Sequence, residues 1–145
     1  MEIAIIQTIT TLFEAADERN WQKLMGVMCE TVLLDYSSMN GNPAASLTPQ
    51  QITGSWAAFL PGFDKTHHRL FDFKVKENDK VAEVHFGGNA AHWIESDCWI
   101  VEGTYDVKLL WHNHQWMVSA MKFNFEKQSG HTELPALAVE RAKLQ

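Results

Sequence analysis

The sequence lacks the features that commonly mark membrane-bound, nucleic-acid-binding and disulfide-stabilised proteins. No apolar run in its 145 residues approaches the roughly 18 residues of a membrane span. It has 12 Lys and Arg against 18 Asp and Glu, a net charge of −6, whereas phosphate binding depends on clustered basic side chains. Its two cysteines are far apart and follow no metal-binding spacing, which favours free thiols. We therefore expect no nucleic-acid and no membrane partner.

The N-terminal segment also lacks a basic start and a small-residue cleavage site, which argues against a signal peptide. We therefore expect a cytoplasmic protein. The chain does contain 46% hydrophobic residues, with six Trp and eight Phe, which is typical of a globular domain. We expect one domain over residues 1–128 and a C-terminal tail over residues 129–145. In that tail, residues 133–144 can form a helix, which Pro135 would break early.

The N-terminal half predicts three helices. Apolar residues spaced by four and three predict an amphipathic helix over residues 3–17. Asn20 is a suitable N-cap for a second helix. A capping box with a favoured proline starts at Thr48 and predicts the third helix. Between them, residues 31–36 are typical of a strand and residues 37–45 of a loop.

From residue 66 onward the hydrophobic period changes to two. This predicts long antiparallel strands over residues 67–76, 80–94, 98–111 and 116–125. Strict alternation places His67 with Phe71 and Phe73 on one face, unless a bulge inverts the parity. Helices followed by strands indicate an α+β fold, in which a strongly bent antiparallel sheet wraps on three N-terminal helices to form a cone. Such a cone encloses an apolar pocket.

Several ionisable side chains are expected near that pocket. Asp17 ends the first helix on the flank of its apolar face, so it is either a surface residue or a group that points into the pocket. Tyr36 or the residue before it faces inward, and so does one of the adjacent His67 and His68. His92 has small neighbours that leave room for a ligand. A carboxylate with one or two imidazoles around an apolar pocket suits general acid–base catalysis.

The motifs around these residues resemble the SnoaL-like branch of the nuclear-transport-factor-2-like (NTF2-like) superfamily. The resemblance rests on FEAADERNW (13–21), DYSS (35–38), LTPQQI (47–52), LPGFDKTHH (60–68), AAH (90–92) and GTY (103–105). It covers about residues 3–125 and implies an NTF2-like cone, in agreement with the predicted order of elements. This fold hosts dehydratases, isomerases, cyclases, epoxide hydrolases and non-catalytic binders, so the resemblance constrains function less than fold.

Within the superfamily, the pattern of the scytalone dehydratases is the most similar. It implies that Asp17, His68, His92 and Tyr36 form the catalytic set, with no cofactor. No histidine pair has the His-x-x-x-His spacing of a helical metal site, so we also expect no metal ion. His92 or His68 would remove a proton next to a carbonyl, and the same or the other imidazolium would protonate the departing hydroxyl. Asp17 would orient one imidazole, and Tyr36 would polarise the carbonyl. A tyrosine of that family is Ala16 here, so we do not expect scytalone itself as the substrate.

The resemblance implies a lyase of the dehydratase type, or an isomerase. Its substrate would be a small hydrophobic, cyclic hydroxy-ketone or polyketide-like molecule. The expected pocket wall comprises Trp56, Phe63, His67, Trp93, Trp99 and Tyr105. One alternative is a non-catalytic small-molecule binding protein of the same fold. Another is an epoxide hydrolase-like enzyme, which would need an arginine between two aspartates.

The expected oligomeric state also rests on the resemblance. Members of the superfamily often pair through open sheet faces, which implies a homodimer or homotrimer. The side chains expected on that face are Trp111, Trp116, Met121 and Phe123. An apolar sheet face of that size would otherwise promote aggregation.

Overall fold

The structure is a computed structural model that describes residues 2–144. Its elements follow the predicted order of helices first and long strands afterwards. They are α1 (Glu2–Glu18), α2 (Trp21–Met25), β1 (Met28–Asp35), α3 (Ser37–Asn40), β2 (Ala45–Leu47), α4 (Pro49–Ala57), a 3-10 turn (Leu60–Gly62), β3 (Lys65–Asn78), β4 (Val81–Ile94), β5 (Asp97–His112), β6 (Gln115–Gly130) and α5 (Leu134–Ala142).

Local sequence signals account for the helix starts. The hydroxyl of Thr48 accepts from the backbone N–H of Gln51, whose side chain accepts from the backbone N–H of Thr48. This capping box, with Pro49 at the first turn, confirms the predicted start of α4. Asn20 caps α2 by accepting from the backbone N–H of Lys23, also as predicted.

The strands form one bent, open sheet in the order β2-β1-β6-β5-β4-β3. β3 to β6 pair antiparallel, as predicted. β1 lies parallel to β6, however, so the sheet is mixed and not antiparallel throughout. The segment predicted as a loop contains α3 and β2, and β2 extends the sheet beyond β1. α1 contacts both β3 and β6, so the sheet curves around this helix.

A bulge in β3 changes the face of the second half of the strand. The register of β3 against β4 shifts around Asp72, whose φ is 58°. His67 and Phe71 point outward, whereas Phe73 stacks on the core at 5.0 Å from the ring of Phe86. Strict alternation placed Phe73 on the same face as His67. This prediction is wrong, because the extra residue of the bulge turns the side chains that follow it to the opposite faces of the sheet.

The C-terminal segment packs onto the rest of the chain. β6 continues to Gly130, past the expected domain boundary at residue 128, and α5 then packs against the 3-10 turn. Pro135 lies in the first turn of α5, where a missing N–H removes no intrahelical bond, so the expected early break does not occur. The Arg141 side chain donates to Asp64 at 2.9 Å and ties the end of α5 to the start of β3.

The core includes most of the side chains expected at a subunit interface. Trp116, Met121 and Phe123 are only 5%, 2% and 3% exposed within the single chain. Trp111 packs against Trp116 with 5.5 Å between their rings. These side chains therefore do not form the open apolar face on which the expected dimer or trimer was based. No helix of residues 2–144 is long and apolar enough to cross a membrane.

Candidate active site

A cavity of about 760 Å³ lies between the helices and the inner face of the sheet. Its size suits a small organic molecule, and its wall is largely apolar with a few polar groups, as in many ligand sites. Residues from all the layers of the fold line it, among them Phe13, Leu34, Tyr36, Trp56, Phe59, His68, His92, Trp99, Val101, Tyr105, Phe123 and Gln128.

Asp17 lies at the C-terminal end of α1, where the helix dipole disfavours a negative charge. Donors from β3 compensate for this position. Its Oδ1 accepts from the hydroxyl of Thr66 at 2.9 Å and contacts Nδ1 of His68 at 2.7 Å. Its Oδ2 accepts from the backbone N–H of His68 at 2.8 Å. Burial acts to raise the pKa of Asp17, but His68 and Thr66 outweigh it and hold the pKa below its usual value.

The ionised Asp17 fixes the orientation of the His68 ring. A carboxylate can only accept, so Nδ1 of His68 carries the proton in this contact. The other ring nitrogen, Nε2, is left for the cavity that His68 lines. The two side chains are only 13% and 15% exposed, so water screens their interaction weakly. The pair forms a carboxylate–imidazole dyad.

Arg19 supports the dyad from behind. It follows α1 with a φ of 57°, a left-handed conformation that costs a non-glycine residue about 1 kcal/mol. Its guanidinium donates to the hydroxyl of Thr66 at 2.9 Å and to the backbone carbonyls of Asp17 and Leu60, each at 2.8 Å. Because the Thr66 oxygen accepts from Arg19, its single proton points to Asp17. No sequence pattern indicates these roles of Arg19 and Thr66, since only the folded chain brings the end of α1 to β3.

His92 lies on β4 with 6.4 Å between its ring and that of His68. Its Nδ1 is 3.1 Å from the backbone oxygen of Trp99. The rings of Phe63 and Trp99 lie 4.8 and 4.4 Å from it. Burial is the main reason that the pKa of His92 is lowered to about 4, so the ring is neutral at neutral pH.

Tyr36 and Tyr105 form the hydroxyl pair of the cavity. The two hydroxyls interact with each other, and because each carries one proton, only one of these protons is used between them. Burial nevertheless raises the pKa of Tyr36 to about 12 and raises that of Tyr105 as well. Both hydroxyls are therefore protonated at neutral pH and act as hydrogen-bond donors.

The structure brings the four expected catalytic side chains to one region, with Asp17 behind His68 and the other three on the cavity wall. Of the expected pocket residues, Trp56, Trp99 and Tyr105 line the cavity. Phe63 lies behind the rings of His92 and Trp99 and is not part of the wall. His67 and Trp93 lie on the outer face of the sheet, because neighbouring residues of a strand alternate in direction.

The cavity also contains polar groups that the sequence did not single out. Gln128 lines the wall and accepts from the indole N–H of Trp99 at 2.8 Å. Asn40, the last residue of α3, and Asn42, which precedes β2, also line the cavity and are exposed. Within residues 2–144, no group of three or more His, Cys, Asp and Glu side chains is placed to hold a metal ion.

Comparison with known proteins agrees with this architecture. Residues 2–122 match the model of the SnoaL-like domain. Kfla4162 from Kribbella flavida is 23% identical, and the match covers 94% of this chain and 95% of that one with a TM-score of 0.86. None of the curated proteins matches this chain.

Two further solved structures share the fold at lower identity. A "Putative Scytalone Dehydratase" from Novosphingobium aromaticivorans is 16% identical, with 90% of this chain and 87% of that chain covered and a TM-score of 0.77. The hexachlorocyclohexane dehydrochlorinase LinA-type3 from Novosphingobium barchaimii is 9% identical, with 90% and 89% covered and a TM-score of 0.70. At these identities the likeness establishes the shared NTF2-like fold.

Proposed function

The chain belongs to the SnoaL-like domain family, and on that premise we propose that it is a cofactor-free acid–base enzyme of the dehydratase or isomerase type. Its proposed substrate is a small hydrophobic, cyclic hydroxy-ketone or polyketide-like molecule. The observation that carries the proposal is the Asp17–His68 dyad, with its 2.7 Å contact, at the wall of an apolar cavity. Two of the similar structures have names that denote elimination enzymes, which favours the same class of reaction.

The proposed reaction uses His68 as the proton carrier. Its Nε2 removes a proton from the carbon next to the ketone, and the C–H electron pair forms a double bond as the neighbouring C–O bond breaks. The imidazolium returns that proton to the departing hydroxyl, which leaves as water. Asp17 stabilises the imidazolium meanwhile, and the hydroxyl of Tyr36 donates to the ketone oxygen as negative charge develops there. An isomerase would return the proton to a different carbon.

The structure argues against the epoxide hydrolase-like alternative. Arg69 lies outside the cavity, with its guanidinium 4.7 Å from the ring of Phe71. Arg19 uses its donors on Thr66 and on backbone carbonyls, and Arg141 pairs with Asp64. None of these arginines lines the cavity, so an epoxide oxygen bound there would not meet a guanidinium.

The test uses bicyclic β-hydroxy ketones such as 3-hydroxy-1-tetralone in deuterated water. Loss of one water is followed by mass spectrometry, and uptake of deuterium next to the ketone by NMR. We expect Asp17→Asn and His68→Gln to slow both processes by about 10²–10⁴-fold, the usual contribution of a general base.

The matched control is His67→Gln, which alters the exposed neighbour of His68 on the same strand. It should retain the wild-type rate. Turnover that survives both Asp17→Asn and His68→Gln would exclude the dyad as the reactive group. Tight binding of the ketones without proton exchange would instead favour the non-catalytic binding protein.

A further inference from the structure

The hydrogen bonds of His92 differ from those of His68. Nδ1 of His92 faces the backbone oxygen of Trp99 at 3.1 Å. A carbonyl oxygen has lone pairs and no proton, so Nδ1 must carry the proton in this contact. In a neutral imidazole the other nitrogen, Nε2, then has a bare lone pair and can only accept a hydrogen bond.

The surroundings of His92 keep its ring neutral. The residue is 5% exposed, and its ring lies against the rings of Phe63 and Trp99. The ionisable groups near it are His68, Asp17 and Arg19, and Arg19 and a protonated His68 both oppose a positive charge on its ring. Asp17 favours that charge, but its oxygens are already bonded to Thr66 and His68. A second imidazolium is therefore unfavourable here.

No hydrogen bond within the described part of the chain uses Nε2 of His92, and the residue lines the cavity. We propose that His92 is an acceptor-only subsite, which selects ligands that present a hydroxyl or N–H group to it, and that it does not carry the proton in the reaction. The cavity then has an acceptor at His92 and a donor at Tyr36, so it prefers a molecule with a hydroxyl at one position and a carbonyl at another. This inference rests on the proposed function in taking the cavity as the substrate site.

Binding of unreactive probes tests the subsite without turnover. The probes are 5-, 6- and 7-hydroxy-1-tetralone and the corresponding fluoro-1-tetralones, measured by isothermal titration calorimetry. Fluorine is close to a hydroxyl in size but cannot donate a hydrogen bond. For at least one position we expect wild-type protein to bind the hydroxyl compound about tenfold more tightly than the fluoro compound.

Two variants separate the subsite from general effects on the cavity. His92→Phe keeps an aromatic ring and should bring the hydroxyl-to-fluoro ratio close to one. Tyr36→Phe should weaken binding of both compounds, through the ketone they share, and leave the ratio unchanged. An unchanged ratio in His92→Phe would overturn the proposal, as would the absence of any hydroxyl preference or of any binding in the wild-type protein.

A second measurement needs no variant to fold. NMR of protein with ¹⁵N-labelled histidine, between about pH 6 and 8, reports which nitrogen of each ring is protonated. We expect His92 to remain neutral with its proton on Nδ1, and a ring protonated on Nε2 would refute the subsite. If the hydroxyl preference holds but β-hydroxy ketones are not converted, the proposed enzyme activity fails and the subsite stands. If β-hydroxy ketones are converted but the hydroxyl compounds are not preferred, the proposed enzyme activity stands and the subsite fails.

Discussion

At the scale of single residues, the site depends on a carboxylate that the helix dipole alone would disfavour. Asp17 lies at the end of α1 and is stabilised by donors from Thr66 and His68. Thr66 is 3% exposed and connects this carboxylate to Arg19. The threonine therefore determines both the stability of the buried charge and the geometry of the dyad.

Replacement of Thr66 tests this role. Thr66→Val keeps the shape of the side chain but removes the donor to Asp17 and the acceptor for Arg19. Hydrogen bonds to charged groups contribute about 1.5–3 kcal/mol, so we expect the free energy of unfolding to fall by about 2 kcal/mol in urea titrations. Proton exchange by the dyad should also slow. Thr66→Ser keeps the hydroxyl and should retain most of the stability and of the exchange rate, whereas a valine variant as stable as the wild-type protein would contradict the role of the hydroxyl.

The lowered pKa of His92 predicts a pH dependence of stability. Its value changes from about 6.5 in the unfolded chain to about 4 in the folded one. The unfolded chain therefore binds the proton more tightly, and protonation destabilises the fold as the pH drops from about 6.5 to about 4. The loss amounts to about 3 kcal/mol at 1.36 kcal/mol per pKa unit.

Urea titrations across that pH range would measure this loss of stability in the wild-type protein and in His92→Phe. The variant lacks the imidazole, so this part of the pH dependence should be absent from it.

Asp17 affects the free energy of unfolding at lower pH. Its lowered pKa stabilises the fold above the ordinary aspartate value of 3.8, and this stabilisation is lost below it. Equal slopes between about pH 6.5 and 4 in the wild-type protein and His92→Phe would contradict the lowered pKa of His92.

At the scale of the elements, the sequence predicts those structural features that depend on residues close together in the chain. The capping box at Thr48 and the alternation of β4 involve contacts within one element, and the structure confirms both. The bulge at Asp72 and the parallel pairing of β1 with β6 depend on partners far along the chain. The sequence indicated Asp17 and two histidines as candidates for the site. It could not identify the support from Arg19, because the contacts of Arg19 with Thr66 and Leu60 also join distant parts of the chain.

The backbone of β4 passes close to aromatic rings beside the cavity. A Cβ atom at Gly88 would lie 2.5 Å from a ring carbon of Tyr105, whose hydroxyl pairs with Tyr36. We therefore expect Gly88→Ala to displace this ring and lower the free energy of unfolding by about 1–3 kcal/mol. Thermal and urea unfolding measure the loss, and weaker binding of the ketone probes should accompany it.

Gly54→Ala is the matched control for Gly88→Ala. Gly54 is an exposed residue of α4, and a Cβ atom there would meet nothing within 4 Å. Alanine forms helices better than glycine, so we expect the free energy of unfolding of this variant to rise by about 0.5–1 kcal/mol. A Gly88→Ala protein as stable as the wild type would mean that the Tyr105 ring moves without cost.

At the scale of the whole molecule, the C-terminal segment completes the cavity and the core together. Thr132 and Pro135 lie on the cavity wall, and Leu134 and Ala138 are 1% and 0% exposed. The ion pair between Arg141 and Asp64 connects the far end of α5 to the start of β3, near the dyad. Sequence could not predict this packing, because the short apolar pattern of α5 does not identify its partner.

Truncation of Leu134 tests whether α5 is an integral part of the fold. Leu134→Ala should lower the free energy of unfolding by about 2–5 kcal/mol, since a fully buried leucine leaves a cavity when it is shortened. Leu137→Ala on the same helix is the control and should change it by less than about 0.5 kcal/mol, because Leu137 is 49% exposed. If α5 were a dispensable tail, the two variants would unfold at the same urea concentration. Because Pro135 lines the cavity, Leu134→Ala should also weaken the binding of the tetralone probes, whereas Leu137→Ala should not.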